Sequence, residues 1–190
     1  MPELSGMRVA ILATDGFEEV ELTSPLEALR DAGARVEVVA PKPGRIQAMR
    51  HDEKSIQVDV DHNLDDIEAE EYDALMLPGG VINADALRMN WAAQAFVRAM
   101  DAAGKPIAVI CHAPWLLISA GLVRGRTLTS YYTLQDDIRN AGGTWLDQEV
   151  VTDGNWVSSR NPGDLPAFNR AMIALFTQAA STRQPLLAGR

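Results

Sequence analysis

Lys105-Pro-Ile-Ala-Val-Ile-Cys-His-Ala-Pro-Trp-Leu-Leu-Ile-Ser-Ala-Gly121 is the stretch that decides the fold. Ile107 to Ile110 is a short, uncharged, branched run, which reads as a buried strand of a parallel sheet. From Pro114, the residues Trp115, Leu116 and Ile118 with the closing Gly121 read as a short helix with a glycine stop. Cys111 and His112 therefore fall at a strand-to-helix corner, on the rim where open α/β sheets hold their ligands. The positive end of a helix favours thiolate over thiol there. A lone cysteine behind a hydrophobic strand is most often a small buried filler, so the elbow needs support from elsewhere in the chain.

Working outward, Met7 to Ala13 reads as the first strand, Glu18 to Ala32 as a helix and Arg35 to Ala40 as the second strand. This β-α-β opening is the start of a doubly wound sheet. The first corner lacks the Gly-x-Gly-x-x-Gly fingerprint, which argues against a dinucleotide site. Arg45 to Asp66 is polar and irregular, and is expected to hold a short hairpin around Ile56 to Val60 followed by a loop. His51 and His62 lie there among carboxylates and read as solvated surface histidines, since no ligand spacing accompanies them. Tyr72 to Leu77 is the next buried strand, followed by Pro78-Gly79-Gly80, whose glycines let the backbone approach a ligand closely. Asp85 to Ala103 is expected to be one helix, and Arg126 to Thr129 a strand ahead of Tyr131. A hairpin through Asp153-Gly154-Asn155, a turn at Asn161-Pro162-Gly163 and a final helix capped by Asp164 complete one domain over residues 1–180, with 181–190 expected to be a loose tail.

Composition bounds the function. The 190 residues fit one domain with a substantial core, and the net charge of −9 argues against a nucleic-acid partner, which needs a basic surface. One cysteine excludes an intrachain disulfide and points to a reducing compartment. The polar start and the short first apolar run give no membrane span, so the expectation is a cytoplasmic protein that does not engage a membrane.

The acidic cluster Glu18-Glu19-x-Glu21, the Gly79-Gly80 pair, Cys111-His112 and Tyr131 all fall after expected parallel strands, so they can share one rim. Taken singly, the glutamates read as helix-dipole partners and Tyr131 as a packed aromatic. In this order, however, the chain resembles the DJ-1/PfpI superfamily, and most closely its PfpI-like branch of intracellular protease I (peptidase family C56). The phrases that carry the resemblance are Phe17-Glu18-Glu19-Val20-Glu21-Leu22, Ala74-Leu75-Met76-Leu77-Pro78-Gly79-Gly80, Gly104-Lys105-Pro106 with Ile110-Cys111-His112, Leu117-Ile118-Ser119-Ala120-Gly121, Gly125-Arg126, and Asp153-Gly154-Asn155-Trp156-Val157-Ser158-Ser159-Arg160.

The resemblance implies a flavodoxin-like three-layer α/β sandwich of the class-I glutamine-amidotransferase type, with a mostly parallel central sheet. It implies Cys111 as a strained elbow nucleophile, His112 as base, and the Gly80 and His112 amides as an oxyanion site beside Gly79. Glu21, with Glu18 next to it, would touch the thiol, and Tyr131 would stand near the pocket. Asp85 would orient His112 from a neighbouring subunit, making the active form a homodimer or higher oligomer. No cofactor or metal is implied. The resemblance implies a hydrolase for peptides or small carbonyl compounds, in the manner of a peptidase or a glyoxalase/deglycase acting on methylglyoxal-derived adducts. A non-enzymatic oxidation sensor, or a chaperone with a vestigial site, stands beside it, because sensor and hydrolase need the same thiolate. Two departures are visible. Ala113 replaces the usual glycine after Cys-His, where a methyl is expected to narrow the pocket, and Ala84 stands where many relatives carry proline. Adjacent Cys and His side chains are not expected to align well within one element.

Overall fold

The strand sequences explain the architecture. In β1 (Arg8–Leu12), Val9 and Ile11 pack with one apolar cluster while Ala10 and Leu12 pack with another. A strand buried on both faces needs a helical layer on each side. The computed structural model describes residues 3–183 and has that sandwich. Its central sheet places β11 (Val150–Asp153), β12 (Trp156–Ser159), β8 (Ile107–Ile110), β7 (Ala74–Leu77), β1, β3 (Arg35–Ala40) and β6 (His62–Asn63) side by side in that order. Every pairing in it is parallel except β11 with β12, and β9 (Thr127–Leu128) and β10 (Thr144–Trp145) pair in parallel apart from it. On one face lie α1 (Glu19–Asp31) and α6 (Leu165–Arg183), through Leu22, Leu29, Phe168, Met172 and Phe176. On the other lie α2 (Val81–Arg88), α3 (Trp91–Ala102), α4 (Pro114–Ser119) and α5 (Gln135–Asn140).

Several expectations are corrected by local chemistry. The single helix expected over Asp85–Ala103 is two helices, because Asn90 interrupts it and its side chain accepts the Ala93 N–H at 2.8 Å as an N-cap. The first of them begins directly after Gly80, so Asp85 is an exposed helical residue. Ala84, noted above as a departure, donates its N–H to the Gly80 carbonyl at 3.0 Å, a bond that proline could not make. Asp164 does not cap the last helix: both its oxygens take hydrogen bonds from Arg160, at 2.8 and 3.0 Å, and Asn161 accepts the Gly163 N–H instead. The last helix runs through Arg183, and residues 184–190 of the expected tail lie outside the described residues.

The largest difference lies in the segment read as mostly irregular. It forms a long antiparallel hairpin of β4 (Arg45–Arg50) and β5 (Glu53–Asp59), joined by a two-residue turn at His51-Asp52. The hairpin docks through β2 (Phe17–Glu18), which pairs in parallel with β4 at Phe17↔Ala48 and Glu18↔Met49. It is anchored further by Arg50, whose guanidinium meets both oxygens of Glu19 at 3.0 Å. The hairpin tip therefore stands over the first strand-helix corner, at the same end of the sheet as Cys111. Among the described residues, no helix is long and apolar enough to cross a membrane.

Candidate active site

Cys111 follows β8 without a break and adopts φ 62°, a left-handed conformation that costs a non-glycine residue roughly 1–3 kcal/mol. Its backbone is held from both sides: its N–H reaches the Ser159 carbonyl at 3.1 Å, and its carbonyl takes the Tyr131 N–H at 2.9 Å. The kink aims the thiol at the space above the sheet. Cys111 and His112 are 6 % and 7 % exposed, so the reacting groups sit at the floor of a cleft and not on the surface.

Glu21 comes from the first turn of α1 and is fully buried. Its Oε2 accepts the Gly79 N–H at 3.0 Å, while Oε1 is buried without a conventional partner, and the carboxyl's remaining contact is the Cys111 sulfur. Glycine at 79 is a condition of this approach, since a Cβ there would stand 2.6 Å from that of Cys111. Gly80, at φ 91°, would drive a Cβ to 2.7 Å from the Glu18 amide nitrogen. These two positions let three chain segments meet at the sulfur.

The electrostatics follow from burial. Desolvation pushes the Glu21 carboxyl up to about 8, with the neighbouring Glu18 charge adding to it. At neutral pH Glu21 is therefore predominantly the acid, able to donate its O–H to sulfur. Burial and the Glu21 charge push the Cys111 thiol up, whereas the backbone N–H groups of Gly80 and His112 pull it back by hydrogen-bonding the sulfur. The helix end does not by itself hold a thiolate, contrary to the reading from sequence. A proton acceptor for the thiol stands beside it. His112 Nδ1 lies 3.1 Å from Cys111 Sγ, and burial lowers the imidazole to about 4, which keeps it neutral and able to accept a proton. The left-handed Cys111 thus achieves the pairing that adjacent residues were expected to miss.

Tyr131 stacks on the His112 ring at 4.6 Å with an interplanar angle of 28°, and Trp115 meets that ring edge-on at 5.4 Å, so the imidazole is fixed by two aromatics. Above the floor opens a cavity of about 810 Å³. Gly16, Glu18 and Glu21 line it from the first corner, Gly80, Val81 and Ile82 from the start of α2, and Tyr131 and Thr133 beside His112. The far walls are Met49, His51 and Asp52 from the hairpin tip, and Asn161-Pro162-Gly163. Of the candidates from sequence, Cys111, His112, Glu18, Glu21, Gly79, Gly80 and Tyr131 come together, and Asp85 does not. Ala113 packs with Leu77, Leu116 and Leu117 in the core and leaves the cavity unnarrowed. Sequence reasoning missed His51, Asp52 and the Asn161–Gly163 turn as cavity walls. The turn was discoverable, because it follows the parallel strand Trp156–Ser159 and so emerges on the same rim. Among the described residues, no cluster of three or more His, Cys, Asp or Glu could hold a metal.

The raised Glu21 carboxyl makes stability depend on pH with a definite sign. A carboxyl that titrates at about 8 when folded, against an ordinary 4.5, binds its proton more tightly in the folded state. Its contribution is full below about pH 4.5 and is lost as pH rises toward 8. His112 acts oppositely, and its contribution is complete once pH exceeds its ordinary 6.5. Between pH 6.5 and 8 the thermal midpoint of the wild type is therefore expected to fall, and that slope is expected to flatten in Glu21→Gln. Equal slopes in a pair of calorimetric series would show that Glu21 is already ionised.

The DJ-1/PfpI family profile matches residues 7–175. A deglycase of Thermococcus kodakarensis is 46 % identical over 169 residues, covering 89 % of this chain and 99 % of that protein. General stress protein 18 of Bacillus subtilis is 37 % identical over 171 residues, covering 90 % and 98 %. The crystal structure of Drosophila melanogaster DJ-1beta superposes with a TM-score of 0.81 at 26 % identity, covering 93 % of this chain and 96 % of that one. With the motif order, the sandwich and the strained elbow cysteine all in agreement, the chain belongs to the DJ-1/PfpI family.

Proposed function

We propose that the protein is a stress-related cysteine hydrolase, acting on peptide-like or glycated substrates through a carbonyl carbon, with Cys111 as nucleophile and His112 as base. The observation that carries this reading is the 3.1 Å approach of a neutral His112 Nδ1 to the Cys111 sulfur. A redox sensor needs a thiolate but no proton shuttle, and here the geometry supplies the shuttle. The deglycase and general stress protein among the relatives support the same class and setting.

In the acyl-transfer form, the thiol proton passes to Nδ1 while sulfur bonds the carbonyl carbon and the π pair moves onto oxygen. The N–H groups of Gly80 and His112, which already point at the sulfur, stabilise that oxygen. Collapse expels the amine, which takes the proton from His112, and water then hydrolyses the thioester to acid and free thiol. Deglycation of a methylglyoxal-type adduct likewise consumes one water, releasing amine and hydroxy acid without an external oxidant. Protonated Glu21 hydrogen-bonds the sulfur in the resting state and loses that role when ionised. The same donor would stabilise a sulfinate, so oxidation of Cys111 is the second reading.

Asp85 is proposed to orient His112 from a second copy of the chain, since it is exposed and lies outside its own subunit's cavity. The setting we infer is the cytoplasm, which fits a single unpaired cysteine.

Cys111→Ser is expected to abolish alkylation by iodoacetamide together with turnover of a methylglyoxal-lysine adduct. In the wild type, kcat/KM should rise through about pH 4 as His112 loses its proton and fall through about pH 8 as Glu21 ionises. Surviving activity in the serine variant, or a profile flat across pH 8, would remove this mechanism. Asp85→Ala is expected to lower activity at least tenfold with little change in thermal midpoint. Mixing it with Cys111→Ser should restore part of the activity if Asp85 acts in trans; an inactive mixture of properly assembled subunits would contradict that role.

A further inference from the structure

Among the described residues, only two that are not glycine hold φ in the left-handed region: Cys111 at 62° and His51 at 58°. Both line the same cavity. Backbone strain at the nucleophile has an evident purpose, and strain at His51 calls for one too. His51 is the first residue of the two-residue turn between Arg50 and Glu53, where glycine would adopt this φ without cost. An imidazole there costs stability of the order of 1–3 kcal/mol, and such strain gathers at sites that use it.

The turn is also held rigidly for a hairpin tip. Glu18, one wall of the cavity, accepts the His51 N–H through Oε2 at 3.1 Å. Behind it, Arg50 is committed to Glu19, so its charge is turned away from the cavity, which it does not line. Nothing in this arrangement is needed to bring Cys111, His112 and Glu21 together, because those come from β8 and α1. The hairpin instead adds His51 and Asp52 on a separate element, and with Glu18 of the first corner they make a polar wall.

The chemistry of that wall is one-sided. Glu18 and Asp52 are acceptors, His51 adds one ring acceptor and one donor when neutral, and no Lys or Arg lines the cavity among the described residues. A group rich in N–H donors is satisfied there, whereas a carboxylate meets like charge and finds no cation. Resting on the hydrolase reading, we propose that His51 is a specificity-determining residue, and that the hairpin tip receives the amine portion of the substrate. The tip thereby selects amines whose carboxyl group is blocked, as within a peptide chain, over amines carrying a free carboxylate. The cavity, at about 810 Å³, has room for such a portion beyond the reacting carbonyl.

The test compares two substrates that differ by one charge: the methylglyoxal adducts of Nα-acetyl-lysine amide and of Nα-acetyl-lysine. The wild type is expected to show a kcat/KM ratio of at least tenfold in favour of the amide. His51→Gly is expected to reduce that ratio roughly tenfold, chiefly through KM for the amide, while its thermal midpoint stays level or rises as strain is relieved. His51→Asn, which tolerates the left-handed φ and keeps a polar side chain, should fall between. A ratio unchanged by His51→Gly would overturn the proposal and leave His51 a turn residue only.

A second measurement separates this from the reaction itself. Cys111 is alkylated with the Nε-iodoacetyl derivatives of the same two molecules, and the ratio of rates is read by intact mass. The wild-type ratio is expected to favour the amide and to shrink in His51→Gly. If the wild type turns over neither adduct, the hydrolase reading fails on its own account, and the alkylation ratio still decides the role of His51: a ratio that His51→Gly does not change rejects it.

Discussion

A buried carboxyl against a buried sulfur is the constraint on which the rest of this molecule depends. Glu21 on α1 and Cys111 after β8 come from distant parts of the chain, and they meet only because Gly79 has no side chain between them. Two ionised groups at that separation, out of water, are not compatible. The pair is kept tolerable by burial raising the carboxyl to about 8, so that at neutral pH it is a donor and not a second anion. The site's proton inventory follows from this. One proton belongs to Glu21, and the thiol proton has one acceptor in reach, the neutral imidazole of His112.

The remaining parts serve that pair in different ways. The strained φ of Cys111 turns the sulfur toward His112 and away from the sheet, and Ser159 and Tyr131 hold the kink by its backbone groups. Tyr131 and Trp115 then fix the imidazole by ring contact, so its orientation does not rely on an acid within its own subunit. A second layer, the β4–β5 hairpin, is tied to the first corner by the pairing of Glu18 with Met49 and by the Arg50–Glu19 ion pair. It shapes access to the thiol without taking part in assembling it. Reactivity and selectivity are thus carried by separate elements of one chain.

Much of this was legible in the residues. The strands Ile107–Ile110 and Arg35–Ala40 have the bounds read from their uncharged or branched runs, since burial on both faces leaves an unambiguous signature. Glu21, Gly80, Cys111, His112 and Tyr131 could be brought to one rim from sequence because each follows an expected parallel strand, although the strand before Tyr131 (Thr127–Leu128) pairs with Thr144–Trp145 and not within the central sheet. The hairpin was underestimated for the opposite reason. β5 is exposed or half-buried throughout, so it carries no clean apolar alternation and reads as loop. His51 looked like a solvated histidine because nothing local announces that a turn will be folded back over a remote corner. The thiol was read as stabilised by a helix end, whereas its environment is set by desolvation and by Glu21, neither of which is visible in a six-residue helix. The helix from Asp85 to Ala103 was read as unbroken because the signal of Asn90 as a helix cap was outweighed by the apolar stripe that spans it.

The central claim is that Glu21 is a neutral acid bound to the sulfur at working pH. Difference infrared spectroscopy of the wild type against Glu21→Gln tests it directly. The account predicts a protonated-carboxyl stretch at pH 7 that belongs to Glu21, shifts when Cys111 is replaced by serine, and disappears as pH is raised past about 8. A carboxylate signature for Glu21 at pH 7, with no such protonated band, would contradict it.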